Sequence, residues 1–517
     1  MSGAQKELLE EPYHLNKNKI DNVVSFAGID SDLADIPQYS KETKDLKIKE
    51  LASIYNVDEK KLLRKIDLCV IPPFCLLYFL AYFNRSSFGF IQMAGIEEDL
   101  HMSNLSLYAS YSAFFAPYIF FQFFANILMK SVRPHFWISI SVLLYGVDTL
   151  ASAFSKNYAA YTGLHFLHGI VQAGSETAIF YILAHYYTTK ESQKRFSAIY
   201  SVSCLAGICS NLIAYGVNKN LNGDNGWMNW KWALIVYGSL TMFSAVVLFF
   251  ILPDFPEGAR FFDDDETFFL IKKLEIYNGK SGYGLDFQVK DVTSSLSDPL
   301  IWLPAISSLG ISYATYVYAF HEPQIMSAVD FNGTKNISYG SYPWVVAFIW
   351  CNLSAHISDF IGKKYPVILG NLLIAMVGSI LIFAPSDSES ATRYAGCFLV
   401  ALGGYAALPM ILCWSTLNVG GHVRKSMVTS LQISFGSIGG LIALFTFYNQ
   451  ESKARVPFYV SLGFQALTAA SATAYLVTCT RQNQIKRTSQ YKEKYEDFTE
   501  RDAIILGDKH PNFDYLT

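Results

Sequence analysis

The sequence predicts an all-α membrane protein in which twelve transmembrane helices form two six-helix bundles. Three observations carry that expectation. Only 16% of the 517 residues are charged and 51% are hydrophobic, whereas a soluble globular chain holds about 25% charged residues. Twelve mostly apolar runs follow one another, six on either side of one polar stretch. The runs are too long and too continuously apolar for barrel strands, whose residues alternate between lipid and lumen, so helices must span. A net charge of −3 offers no basic field for nucleic acid.

Residues 1–64 are polar, mixed in charge and without sustained periodicity, which predicts a cytosolic tail, partly disordered. No cleavable leader is expected ahead of so long a polar lead; the first span is its own insertion signal. The first bundle, 65–252, holds runs at about 68–90, 105–128, 136–154, 159–184, 196–217 and 231–252. The stretch 253–298, with "RFFDDDETFFLIKKLEIYNGK", reads as a cytosolic linker. The second bundle, 299–478, holds runs at about 299–320, 342–357, 367–385, 394–416, 427–447 and 457–478, and residues 479–517 form a cytosolic tail. A crossing helix needs about 20 mostly apolar residues, so the eighth run is short.

Orientation follows from charge. "KKLLRK" (60–65) precedes the first span, and "IEEDLHM" (96–102) after it has no lysine or arginine, which places the N-terminus in the cytosol. Two glycosylation sequons, at Asn332 and Asn336, fall in the loop expected outside after the seventh span. The eight cysteines include no Cys-x-x-Cys pair and read as small buried hydrophobes. No metal, cofactor or enzyme signature is expected. The stretch "GSIGG" (436–440) suits helix packing better than nucleotide binding.

Two six-helix halves suggest an internal duplication, with a site between halves that rock against each other. The loop "HISDFIGKKYP" (356–366) resembles the loop signature of the major facilitator superfamily, and its glycine permits a tight turn. There Asp359 is expected to contact Lys363 or Lys364 and hold the helices in one state. The counterpart after span two, "MKSVRPH", is degenerate. Further motifs resemble the anion:cation symporter family: "KIDLCVIPPFCLLYFLAYFNRSSFG" in the first span, "FFAPYIFFQFFANIL" in the second and "HFLHGIVQAG" in the fourth. "LPDFPEGARFF" (252–262), "WSTLNVGGHVRKS" (414–426) and "GDKHPNFDYL" (507–516) extend the likeness, the last toward fungal allantoate and nicotinate permeases.

The resemblance implies that Arg85, in "YFLAYFNRSSFG", meets a substrate carboxylate. A guanidinium offers a planar fork of donors that suits a carboxylate. The alternatives are snorkelling to water or a structural pair. Asn84 replaces the family's aspartate, and Gln122, after Tyr118, replaces its glutamate. His165 and Gln172 stand for its arginine and glutamate. Amides cannot titrate, so the likeness supports anion binding by Arg85, Asn84, Tyr118, His165 and Gln172 better than proton coupling. His165, His168, Gln172 and Glu176 lie at i, i+3, i+7 and i+11, along one helical face. Glu176, with His165 or His168, is the expected proton carrier; a structural polar stripe or no coupling are the alternatives.

In "YAFHEPQ" (318–324), Pro323 is expected to break the seventh span and make His321 and Glu322 an outer gate, or else leave them exposed. Asn418 and Arg424 are expected to serve a cytosolic gate. Asp148 is polar within a span and has no assigned role. The sum is a monomeric plasma-membrane permease, both termini cytosolic, importing a small organic anion such as a vitamin or related carboxylate. Proton symport through alternating access is the expected mechanism. A proton-independent facilitator or exchanger, or a non-transporting nutrient receptor, is the alternative.

Overall fold

The computed structural model describes residues 41–131, 133–188, 191–221, 227–278, 296–328, 334–383, 390–420, 422–446, 456–493, 507–509 and 513–517, and no strand occurs among them. The sequon at Asn332 lies outside these residues, and Asn336 falls in the first turn of a helix where its side chain is not described.

A short helix, α1 (Lys41–Ile54), precedes α2 (Glu59–Arg85), so part of the expected tail is ordered. Asp58 caps α2 by accepting from the Lys60 and Lys61 amides. There follow α3 (Phe88–Met93), α4 (Ile96–Asp99), α5 (Asn104–Ser131), α6 (Pro134–Ser152), α7 (Tyr158–Gln172), α8 (Ser175–Leu183), α9 (Ser192–Asn220) and α10 (Asn229–Ile251). The linker carries α11 (Asp264–Asn278). The second half comprises α12 (Pro299–Ala328), α13 (Thr334–Ile361), α14 (Tyr365–Phe383), α15 (Ser390–Leu417), α16 (His422–Thr446), α17 (Val456–Lys486) and the short α18 (Ser489–Glu493).

Nine helices among the described residues are long and apolar enough to cross a membrane. The remaining crossings are α5, α6 and the interrupted pair α7–α8, which pack among them. The eighth span is not short. Its helix α13 has 28 residues, because the polar lead from Thr334 extends the helix beyond its apolar stretch. The linker is not only loop: Asp264, Asp265 and Glu266 sit in the first turn of α11, where carboxylates suit the helix dipole. Lys273 of α11 pairs with Glu59 at 2.9 Å and Glu191 at 2.7 Å, pinning the linker to the starts of α2 and α9.

The same pairing recurs in each half. In the first, α2 packs on α9, α5 on α7 and α6 on α10; in the second, α12 packs on α16, α13 on α15 and α14 on α17. The halves meet where α9 lies on α13 and α15, and where α5 and α8 lie on α16. Small residues allow that approach: a Cβ at Gly207 on α9 would come within 2.8 Å of the Trp344 ring on α13. Gly207→Leu should therefore wedge the seam and lower thermal stability, at a cost of about 1–3 kcal/mol. A fluorescence melt of the purified protein in detergent reads this; an unchanged midpoint would show that the seam yields freely.

Candidate functional site

Two helix interruptions build the site. After Arg85 the Ser86 hydroxyl donates to the Tyr82 carbonyl at 3.0 Å and the Ser87 hydroxyl to the Asn84 carbonyl at 2.6 Å. These hydroxyls take up carbonyls at the end of α2, and the chain restarts as α3. Between α7 and α8 the turn at Ala173–Gly174 does likewise: Ser175 Oγ donates to the Gln172 carbonyl and Thr177 Oγ1 to that of Gly174. Gly174 is held there because a Cβ would come within 2.7 Å of Ala125 on α5. The single face expected for His165, His168, Gln172 and Glu176 is thus broken, and Glu176 starts a separate helix.

The breaks bring opposite charges together. Arg85 ends α2 and Glu176 begins α8, so each charge suits the dipole of its own helix. Arg85 Nη2 lies 3.1 Å from Glu176 Oε1, with side chains only 8% and 3% exposed. Arg85 therefore does not snorkel. Its Nη1 donates to the Tyr316 hydroxyl on α12 at 2.8 Å, and its guanidinium stands about 5 Å from the rings of Tyr82, Phe114 and Tyr118. The Tyr118 hydroxyl donates to Glu176 Oε2. Yet Arg85 Nε and Nη2, Glu176 Oε1 and both polar atoms of the Asn84 side chain are buried with no hydrogen-bond partner among the described residues. The charges are close, but the donor fork is not filled.

This cluster stands between two cavities. One, of about 60 Å³, is lined by Asn84, Arg85, Asp148, His165, His168 and Gln172 together with aromatic rings. The other, of about 30 Å³, lies between the halves, lined by Tyr82, Glu176, Tyr200, Ser312, Tyr316 and Gln432. Gln432 Oε1 there is buried without a hydrogen-bond partner among the described residues.

His165, His168 and Gln172 share the first cavity with Arg85 but take separate partners. His165 sits against the rings of Tyr111 and Tyr161, at 4.8 and 4.5 Å. His168 turns away from Glu176: its Nδ1 is 2.9 Å from Asp148 Oδ2 on α6. Gln172 donates to the Ala81 carbonyl at 3.2 Å and ties α7 to α2. Gln122 contacts Tyr118 at 3.3 Å and accepts from Ser434 of α16 at 2.8 Å.

The gate residues require corrections. Gly362, at φ +71°, makes the turn expected of it. Asp359 pairs with Lys194 of α9 at 3.8 Å, and the charge of Lys364 in its own loop acts on its carboxylate as well. Lys363 is exposed, and Lys364 crosses to donate to Gln193 Oε1 at 2.6 Å. The turn redirects the chain toward α9, so the contacts join the two halves. Pro323 does not break α12, which continues to Ala328 while packing along α16 and α17. His321 and Glu322 are buried, not exposed. Glu322 accepts from Asn211 of α9 at 2.8 Å and from Trp344 at 2.6 Å, a second link between the halves. Asn418 and Arg424 grip the tail instead of the first half. Asn418 exchanges two bonds with the Leu516 backbone, at 2.6 and 3.0 Å, and Arg424 pairs with Asp508 at 2.8 Å and with Asp298. Lys486 completes the clamp on the Asp508 and Phe513 carbonyls.

Sequence reasoning missed Tyr316, Asn211, Gln193 and Lys194 because their partners lie more than a hundred residues away. Asp148 carried a visible signal, a carboxylate within an apolar run, without a visible partner.

The sequence profile described as Major Facilitator Superfamily matches residues 74–444. Among curated proteins, the MFS-type transporter cnsO of Penicillium expansum is 26% identical over 469 residues, covering 88% of this chain and 90% of that protein. The high-affinity nicotinic acid transporter of Saccharomyces cerevisiae is 25% identical over 466 residues, covering 89% and 85%. Among solved structures, the proton:xylose symporter XylE superposes with a TM-score of 0.64 at 10% identity, over 80% of this chain and 95% of that one. The human organic anion transporter MFSD10 gives 0.57 at 14% identity, over 78% and 99%. At these identities the structures speak for the fold alone.

The link from Lys364 to Gln193 provides a test. Lys364 Nζ also lies 3.8 Å from Cys413 Sγ. A hydrogen bond to a charged group is worth about 1.5–3 kcal/mol, so Gln193→Leu, which breaks the link and leaves Lys364 beside the thiol, should speed maleimide labelling of Cys413 at least about tenfold. Labelling is followed by mass spectrometry with Cys413→Ser as blank; an unchanged rate would show that the link does not hold the halves.

Proposed function

The chain belongs to the major facilitator superfamily, and we propose that it is a permease importing a small organic anion by proton symport. Its motifs suggest the anion:cation symporter branch, and a similar protein named as a nicotinic acid transporter supports a small carboxylate as substrate. The carrying observation is the unfilled fork of Arg85, buried beside the unpartnered amide of Asn84. An intramembrane charge marks a pathway when it faces a cavity, as this one does.

In this reading Glu176 is the resident anion. Its carboxylate keeps Arg85 neutralised, in a geometry that leaves donors free. An incoming carboxylate takes the fork bidentately, while Asn84 bonds its second edge or ring substituent. Tyr316 reports the exchange to the second half through its bond to Arg85. The links at the two ends of the bundles, Lys364–Gln193 near the linker and Glu322–Asn211 at the far end, then open alternately as the halves rock. The linker side is cytosolic, with both termini there, and the protein works as a monomer in the plasma membrane. One observation favours a proton-independent exchanger: Asn84 and Gln172 are amides where the symporter branch has titrating groups, and Gln172 is engaged structurally.

Tracer uptake in a transport-deficient fungal strain, with a panel of carboxylates, tests the reading. Arg85→Gln should lower uptake at least about tenfold, since a charged hydrogen bond is lost. Arg85→Lys should recover little, because an ammonium lacks the planar fork. Undiminished accumulation by Arg85→Gln would remove the anion site.

A further inference from the structure

Within the first bundle, α6 and α7 bury a second ionisable pair. Asp148 Oδ2 and His168 Nδ1 are 2.9 Å apart, with side chains 10% and 12% exposed. Both line the cavity that Arg85 and Asn84 also line. Ionisable groups inside a spanning bundle are expensive and mark ion or proton paths when they meet a cavity. Resting on the permease reading above, we propose that Asp148 and His168 together form the proton-binding site of the transport cycle, and that Glu176 does not carry the proton.

Charge balance connects the pair to transport. Arg85 and Glu176 cancel each other. With a neutral imidazole, Asp148 leaves the cavity one net negative charge, which opposes a second anion in a medium of low dielectric. One proton on the pair gives imidazolium beside carboxylate, net zero, and the opposition disappears. Anion and proton therefore favour each other's binding, and by linkage each does so equally. The proton belongs to the pair and not to either residue. Glu176 is worse placed: to accept a proton it must give up Arg85 and the Tyr118 hydroxyl together.

The surroundings of the pair add no competing fixed charge. On its own helix it faces Tyr145, whose ring is 5.6 Å from that of His168. From α7 come Tyr161 and His165, and from α5 Tyr111 and the Phe114 ring, also 5.6 Å away. From α2 comes Arg85, already neutralised by Glu176 of α8; α10 contributes the apolar Leu234 to the cavity wall.

The experiment measures uptake of radiolabelled nicotinate, as the carboxylate probe, at acidic and neutral external pH, and counterflow into preloaded cells. Wild type, Asp148→Asn, His168→Gln and Asp148→Glu are compared. The pair is supported if wild-type uptake is acid-stimulated, Asp148→Asn shows rates within about twofold at the two pH values and keeps counterflow, and His168→Gln, which leaves the Asp148 charge without its imidazole, loses acid stimulation together with most of its uptake. Acid stimulation that survives in both variants overturns it. So does loss of both activities in all three variants, including Asp148→Glu, which would mark a purely structural pair. Wild-type uptake without pH dependence overturns the proton site and leaves the permease standing. If wild type takes up none of the carboxylate panel at either pH, the permease reading itself falls and carries this one with it.

Discussion

A guanidinium that cannot shed its charge, placed where water is scarce, constrains this molecule. Arg85 must be neutralised in every state of the protein, and the fold supplies Glu176 for that purpose. Two helices are interrupted to bring them together, one ending on the cation and one starting on the anion, with serine and threonine hydroxyls occupying the carbonyls that the breaks release. Replacing either charge alone would leave the other buried and unpaired, at a cost of about 3–5 kcal/mol. The imperfect geometry of the pair then has a meaning. A fully bonded pair would be inert, whereas this one keeps donors in reserve.

Around that centre the two halves touch at three levels. Near the linker, Lys364 and Asp359 reach Gln193 and Lys194; at Arg85, Tyr316 and Ser434 reach in from the second half; at the far end Glu322 reaches Asn211. Each link is a single hydrogen bond or ion pair, worth at most about 1.5–3 kcal/mol where a charged group takes part. The seams between the halves are close, as at Gly207 against Trp344.

Much of the architecture was legible in the amino-acid order. The twelve apolar runs, the central polar stretch and the turn at Gly362 all follow from local composition and backbone freedom. Arg85 announced itself as a charge among aromatics. Its partner did not, because periodicity assigned Glu176 to the face of His168. Only the packing of Gly174 on Ala125 shows that the helix stops between them. Pro323 misled for the opposite reason: a local breaker was outweighed by neighbours along α12. Asp148 and His168 are twenty residues apart on different helices, a relation that sequence spacing alone does not encode.

The grip of Asn418, Arg424 and Lys486 on residues 508–516 bears on how the protein is made. Asn418 stands 98 residues ahead of Leu516, so it is made before the backbone that satisfies it. Until the tail arrives, Arg424 has Asp298 alone of its two carboxylate partners, and the Asn418 amide lacks its bonds to the Leu516 backbone. Docking of the tail is therefore a late step in assembling the second half, filling polar sites that the bundle alone leaves open.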